Sequence, residues 1–146
     1  MAATYNRQGI RFLYPETWQV TDEDGEGWPR VVTLQSSESG FWSLHVYRAG
    51  EDPIPLVNEV EQTMRREYQG LEAERVSQTL GAHPAVGCDL EFYCLDLLVS
   101  ARARAVRTEE ATYLVFCQAE SREFEVLLPV FESMTLSMLG VVESGS

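Results

Sequence analysis

Positive charge is scarce in this sequence: 11 basic side chains stand against 23 acidic ones, for a formal charge of −12. Such a chain repels phosphate backbones and anionic lipid head groups, so nucleic acid is not an expected partner. Apolar runs are short as well. None approaches the roughly 18 residues a membrane-crossing helix needs, and the polar opening Met1 to Gly9 lacks the apolar core of a secretion signal. A cytoplasmic protein without membrane insertion is the expectation. The three cysteines cannot all pair, and they sit in strand-like segments as small hydrophobes, which predicts free thiols in a reducing compartment. Cys88 and Cys94 fall on one side of a strand, too far apart to bridge; Cys117 could neighbour either from another strand.

Catalytic signatures are missing too. There is no phosphate-cradling glycine loop, no hydrolase serine elbow and no pair of metal ligands at a usable spacing. Only two histidines occur, His45 and His83, and neither has a cysteine or carboxylate at ligand spacing. Asp22 and Asp24 open like a calcium loop, but Thr33 holds the position of its closing glutamate. No catalytic residue, metal or cofactor is expected, which weighs against an enzyme.

What remains is a chain of 146 residues with 45% hydrophobic content, the size of one domain with its own core. A single unit over 1–140 is expected, with a flexible tail at 141–146. The stretch from Ala85 to Glu120 organises it. Val86, Cys88, Leu90, Phe92 and Cys94 alternate with Asp89, Glu91 and Tyr93, and two further alternating runs follow at Leu97 to Ala105 and Ala111 to Glu120. One face, led by Val86, Leu90, Phe92, Leu97 and Val99, should carry a helix.

Before this meander, Ile10, Phe12 and Tyr14 make a strand that Pro15 ends, and Trp18 and Val20 mark a short pairing segment. Thr21 to Pro29 is expected to be a solvated loop. Val31 to Ser36 and Phe41 to Arg48 read as a hairpin, with Trp42, Leu44 and Val46 on the core side. Asp52 caps a helix with apolar residues from Leu56 to Tyr68 at helical spacing, stopped near Gly70. Weak alternation from Leu71 to Leu80 predicts an edge strand or a bulge. Ser121 is placed to cap a last helix, which Pro129 should kink or divide.

The densest polar cluster is Asp89, Glu91, Tyr93, Arg102 and Arg104, which a tight turn near Leu95 and Asp96 would bring to one sheet face as cross-strand salt bridges. Trp18, Trp28, Trp42 and Tyr47 are candidate aromatic anchors for a partner. His45 reads first as a hydrogen-bonded sheet residue. Two functions follow: a protein-binding or adaptor domain, or a small-molecule-binding protein or hydrolase whose cleft gathers His45, Glu91, Arg102 and Arg104.

The order of elements, together with Phe12, Tyr14, Pro15 and Trp18 at the start and Phe124, Phe131 and Ser137 at the end, resembles the PsbP/Mog-like superfamily in its DcrB-like bacterial branch. That resemblance implies an α+β fold: an antiparallel sheet of six to seven strands flanked by helices on both faces, an α/β/α sandwich. It also implies binding rather than catalysis, in an adaptor or chaperone-like role with a protein partner, as a monomer or homodimer.

Overall fold

The computed structural model describes residues 1–23 and 29–140. The tail expected at 141–146 and much of the acidic loop lie outside the described residues. Two short strands, β1 (Ala2–Arg7) and β2 (Ile10–Pro15), form a separate hairpin. The main sheet contains β3 (Gln19–Glu23), β4 (Arg30–Gln35), β5 (Phe41–Arg48), β6 (Glu72–Leu80), β7 (His83–Cys94), β8 (Leu97–Arg107) and β9 (Ala111–Glu120). Its seven strands run in the order β3-β4-β5-β9-β8-β7-β6, and every neighbouring pair is antiparallel. Helix α1 (Pro53–Glu67) lies on one face and α2 (Ser121–Met138) on the other. The expected sandwich is the one observed, and β6 is an edge strand.

Strand parity divides the core into two layers. On the α1 side, Val57 packs with Cys88, Leu90, Phe92, Val99, Ala101, Ala103 and Leu114. On the α2 side, Trp42, Leu44, Val115 and Cys117 pack with Phe124, Phe131 and Met134 of the helix and Phe12 of the first hairpin. Trp42 lies against Phe12 at 4.9 Å between ring centroids and donates its indole N–H to Thr135 Oγ1 at 3.0 Å, so the largest core side chain leaves no polar atom unpaired. Cys88 and Cys117 fall in different layers, with the sheet between their side chains.

Neither helix spans the sheet. α1 packs on β7, β8 and β9, while α2 packs on β8, β9 and strand β2 of the hairpin. Two sheet corners therefore lack a helix: β3 to β5 on the α1 side, and β6 with β7 on the α2 side.

Three local expectations change. Ala2–Arg7 is a strand although only Tyr5 in it is buried; it follows from the two-residue turn Gln8-Gly9, whose φ values of 51° and 81° match the twist of a hairpin. Asp22 belongs to β3 rather than to a solvated loop, and its side chain is as buried as that of Arg30, 3.1 Å away. Tyr5 supplies the third member: its hydroxyl donates to Asp22 and accepts from Arg30. Helix α2 runs unbroken through Pro129, and its N-cap is Glu120, with Ser121 as the first helical residue bonded to Ser100 at 2.8 Å. Asp52 caps α1 as expected, accepting from Ile54 N–H at 3.0 Å.

The Tyr5–Asp22–Arg30 triad ties the first hairpin to β3 and β4. Tyr5→Phe strands a buried carboxylate and guanidinium without their shared hydroxyl, so it should cost about 1–3 kcal/mol in urea unfolding. An unchanged midpoint would mean that apolar packing alone holds the hairpin.

Candidate functional site

The polar cluster forms on the α2 side, where β6 and β7 are uncovered. Asp89 pairs in register with Arg102, and Gly87 with Arg104. The missing side chain at Gly87 lets the Arg104 guanidinium lie flat on β7: a Cβ there would overlap the Ala103 carbonyl oxygen and come within 2.9 Å of Arg104 Cδ. Arg104 is buried. It donates through Nε to Gln78 Oε1 at 2.6 Å and through Nη1 to the Ala103 carbonyl at 2.9 Å, and its Nη2 lies 2.8 Å from Asp89 Oδ1. Arg102 is more open, with Asp89 at 3.5 Å and Glu132 of α2 at 3.9 Å.

These contacts decide what the arginines can do. Arg104 has its charge matched and its donors committed within the fold, so it is a structural clamp rather than a free anion receptor. Glu91 and Tyr93 share its face but stand exposed farther along β7. Gln78, Gly87 and Glu132 complete the cluster. Sequence periodicity does not flag them, because one is a glycine and the other two sit on distant elements.

His45 is elsewhere. It pairs with Leu114, which pairs with Ala105, whereas Arg104 pairs with Val115, which pairs with Leu44. Directly opposed residues share a face, so His45 lies on the α1 side and Arg102 and Arg104 on the α2 side. The sheet itself keeps the four residues of the polar-cleft reading from meeting. Around His45 is an open cavity of about 250 Å³ lined by Tyr47, Met64, Leu114 and Phe116 among others. Its Nε2 is 2.8 Å from Ser43 Oγ. Burial lowers its pKa, against a smaller opposing effect of the Glu23 charge. The amides of β5, the strand that carries both side chains, are paired on both sides, to β4 and to β9, and so are not free to hold an oxyanion.

The aromatic anchors separate in the same way. Trp18 is buried edge-on against Phe131 at 5.8 Å, and Trp42 is fully enclosed, so neither is presented to a partner. Tyr47 is half-buried in the His45 cavity, and Trp28 lies outside the described residues. Leu97, expected in the core, is exposed instead. The cysteines are free, and burial pushes the thiols of Cys88 and Cys117 up to about 11 and about 12, so neither forms a thiolate near neutrality. Among the described residues no group of histidine, cysteine or carboxylate side chains is arranged to hold a metal ion, and no helix is long and apolar enough to cross a membrane.

No protein-family model matches the sequence, and no curated protein matches it. Solved structures do match its fold. Cyanobacterial PsbP (CyanoP) from Synechocystis sp. PCC 6803 aligns with a TM-score of 0.66 at 14% identity, over 93% of this chain and 90% of its own. PA94 of Pseudomonas aeruginosa, a protein of unknown function, aligns at 0.54 and 12% identity over 99% of both chains. A Bacteroides thetaiotaomicron protein aligns at 0.59 and 11% identity, over 88% of this chain and 43% of its own.

The geometry can be tested at Gly87 and at His45. Gly87→Ala should destabilise the fold by about 1–3 kcal/mol through overpacking, because the added carbon overlaps the Ala103 carbonyl and crowds the Arg104 side chain; a wild-type unfolding midpoint would show that β7 yields without strain. For His45, the folded pKa lies below the ordinary value of about 6.5, so below that pH the unfolded chain binds more protons and stability falls. Urea unfolding at about pH 7.5 and about pH 5.5, on either side of that ordinary value, should show a larger loss for the wild type than for His45→Gln. Equal losses would place the acid sensitivity in other groups.

Proposed function

We propose that this chain, which has the PsbP-like fold, is a cytoplasmic protein-binding domain of adaptor or chaperone-like type, whose partner receives the tip of the β7–β8 hairpin. The observation that supports it is the exposure of three large apolar side chains at that tip: Tyr93 at 69%, Leu95 at 93% and Leu97 at 56%. Scattered single hydrophobes are ordinary on a surface, but here three fall within five residues around one turn, with Tyr93 on one face of the hairpin, Leu97 on the other and Leu95 in the turn between them. An apolar tip of this kind suits a concave pocket on another protein that closes around both faces of the hairpin, where tyrosine and leucine anchors exclude water.

The turn's own chemistry supports the same reading. Leu95 and Asp96 both have positive φ, 49° and 67°, between the paired residues Cys94 and Leu97. A two-residue hairpin of this hand favours Asn-Gly, and a leucine there carries a steric cost of about 1–2 kcal/mol. Folding alone gains nothing from a leucine at that place, since its side chain touches solvent. The three free cysteines suit the reducing interior of a cell.

Replacing Leu95 and Asp96 by Asn and Gly separates stability from binding: the turn should gain about 1–2 kcal/mol while partner association weakens. A photo-crosslinking residue placed at position 95 in source cells should then yield one protein adduct that Tyr93→Asp with Leu97→Asp abolishes and that the same probe at Leu13 does not give. No adduct, or one indifferent to those substitutions, would sink the proposal.

A further inference from the structure

A different surface has an independent feature: the outer edge of β6. This strand closes the main sheet and has a neighbour, β7, on one side only. It is nine residues long, and an unpaired edge of that length offers a row of main-chain donors and acceptors to another extended chain. The side chains along it are sorted by face. Arg75, the strand's single arginine, points to the α1 side and is bound to Glu61 at 2.9 Å and Asn58 at 2.7 Å. Glu72 and Glu74 point to the other side, in register with Glu91 and Asp89 of β7.

Like charges directly opposed on a sheet repel, and this face has two such pairs side by side. Only Asp89 is neutralised, by Arg102 and Arg104. Among the described residues Glu72, Glu74 and Glu91 belong to no ion pair. The four carboxylates, with Arg102 beside Asp89, border an open groove of about 500 Å³ that ends against Phe124 of α2. A second copy of this chain would bring the same negative edge against this one, on top of a net charge of −12. The edge is thus guarded against itself and open to the opposite sign.

We propose that the β6 edge binds an extended basic segment of a protein partner by strand addition, with lysines or arginines at alternate positions. Main-chain hydrogen bonds along the edge would supply the pairing, and the alternation supplies selectivity. Residues two apart on a strand lie about 6.6–6.8 Å apart on one face, so basic side chains at i and i+2 stand opposite Glu72 and Glu74 together. The other face of the added strand meets no unpaired cation of β6. This surface is independent of the hairpin tip, and its test does not depend on that reading.

The full chain and synthetic peptides are sufficient for the test. The probes are a capped ten-residue peptide of alternating lysine and threonine, a block peptide of the same composition, and an alternating glutamate–threonine peptide. The alternating lysine peptide should slow amide exchange along β6 and bind more tightly than the block peptide. Glu72→Arg with Glu74→Arg, both at exposed positions, should weaken it at least tenfold and favour the glutamate peptide, with the urea midpoint of the variant confirming that it is folded. Carbodiimide coupling gives a further readout. All 11 basic residues of this chain are arginine, so with its amino terminus blocked every amide cross-link to a carboxylate comes from the peptide, and these should map to Glu72 and Glu74. Equal binding of the block peptide without protection of β6, cross-links on other carboxylates, or sedimentation as a dimer that the double substitution dissolves would each overturn the proposal. Leu95→Asp serves as the control that should leave peptide binding intact.

Discussion

Width governs this structure. Seven strands at about 4.8 Å spacing make a sheet roughly 29 Å across, while a helix with its side chains is about 10–12 Å wide. One helix per face cannot cover such a sheet. The β1–β2 hairpin takes up part of the shortfall on the α2 side, where Phe12 reaches Trp42. What stays open is a corner on each face, at opposite ends of the strand order, and the surfaces with functional interest are found at or beside those corners.

The pleat then determines which side chains reach which corner. Because β8 and β9 are buried on both faces, every residue along them is committed to one layer, and a slip of one position would drive Arg102 and Arg104 into the layer beneath α1. The internal ion pair of Arg104 with Asp89 fixes that register as well as filling the space above Gly87. Its charge is therefore spent on specifying the sheet. The unmatched charge lies farther out, on Glu72, Glu74 and Glu91, where water solvates it.

Much of this was legible in the sequence, for physical reasons. Long strands announce themselves by alternation, so β5 and the meander from β7 to β9 were readable to within a few residues, and so was the sharing of a face by Asp89, Arg102 and Arg104. The amphipathic pattern and its Asp52 cap defined α1 equally well. Three kinds of feature stayed hidden. Ala2–Arg7 has no alternation, because its pairing comes from a turn rather than from burial. Asp22 reads as a loop residue, because its buried partner, Arg30, and the Tyr5 hydroxyl that bridges them are brought to it by tertiary contact. Leu97 reads as core, because periodicity reports which side a residue faces and not whether the sheet extends far enough to cover it. His45 was separated from the arginines by a parity relation across β5, β9 and β8, which exists only once the strand order is known.

Strand order also sets the route by which the chain folds. From β6 to β9 each strand pairs with the next through a short turn, and α1 precedes them directly, so this half needs only local closures. The pairing of β5 with β9 joins Arg48 to Ala111 and closes a loop of about sixty residues, which no early event can do cheaply. Loop-closure entropy therefore favours forming the meander before the β5–β9 seam. The single sheet thus joins a half closed by short turns to a half that reaches it only across a long loop.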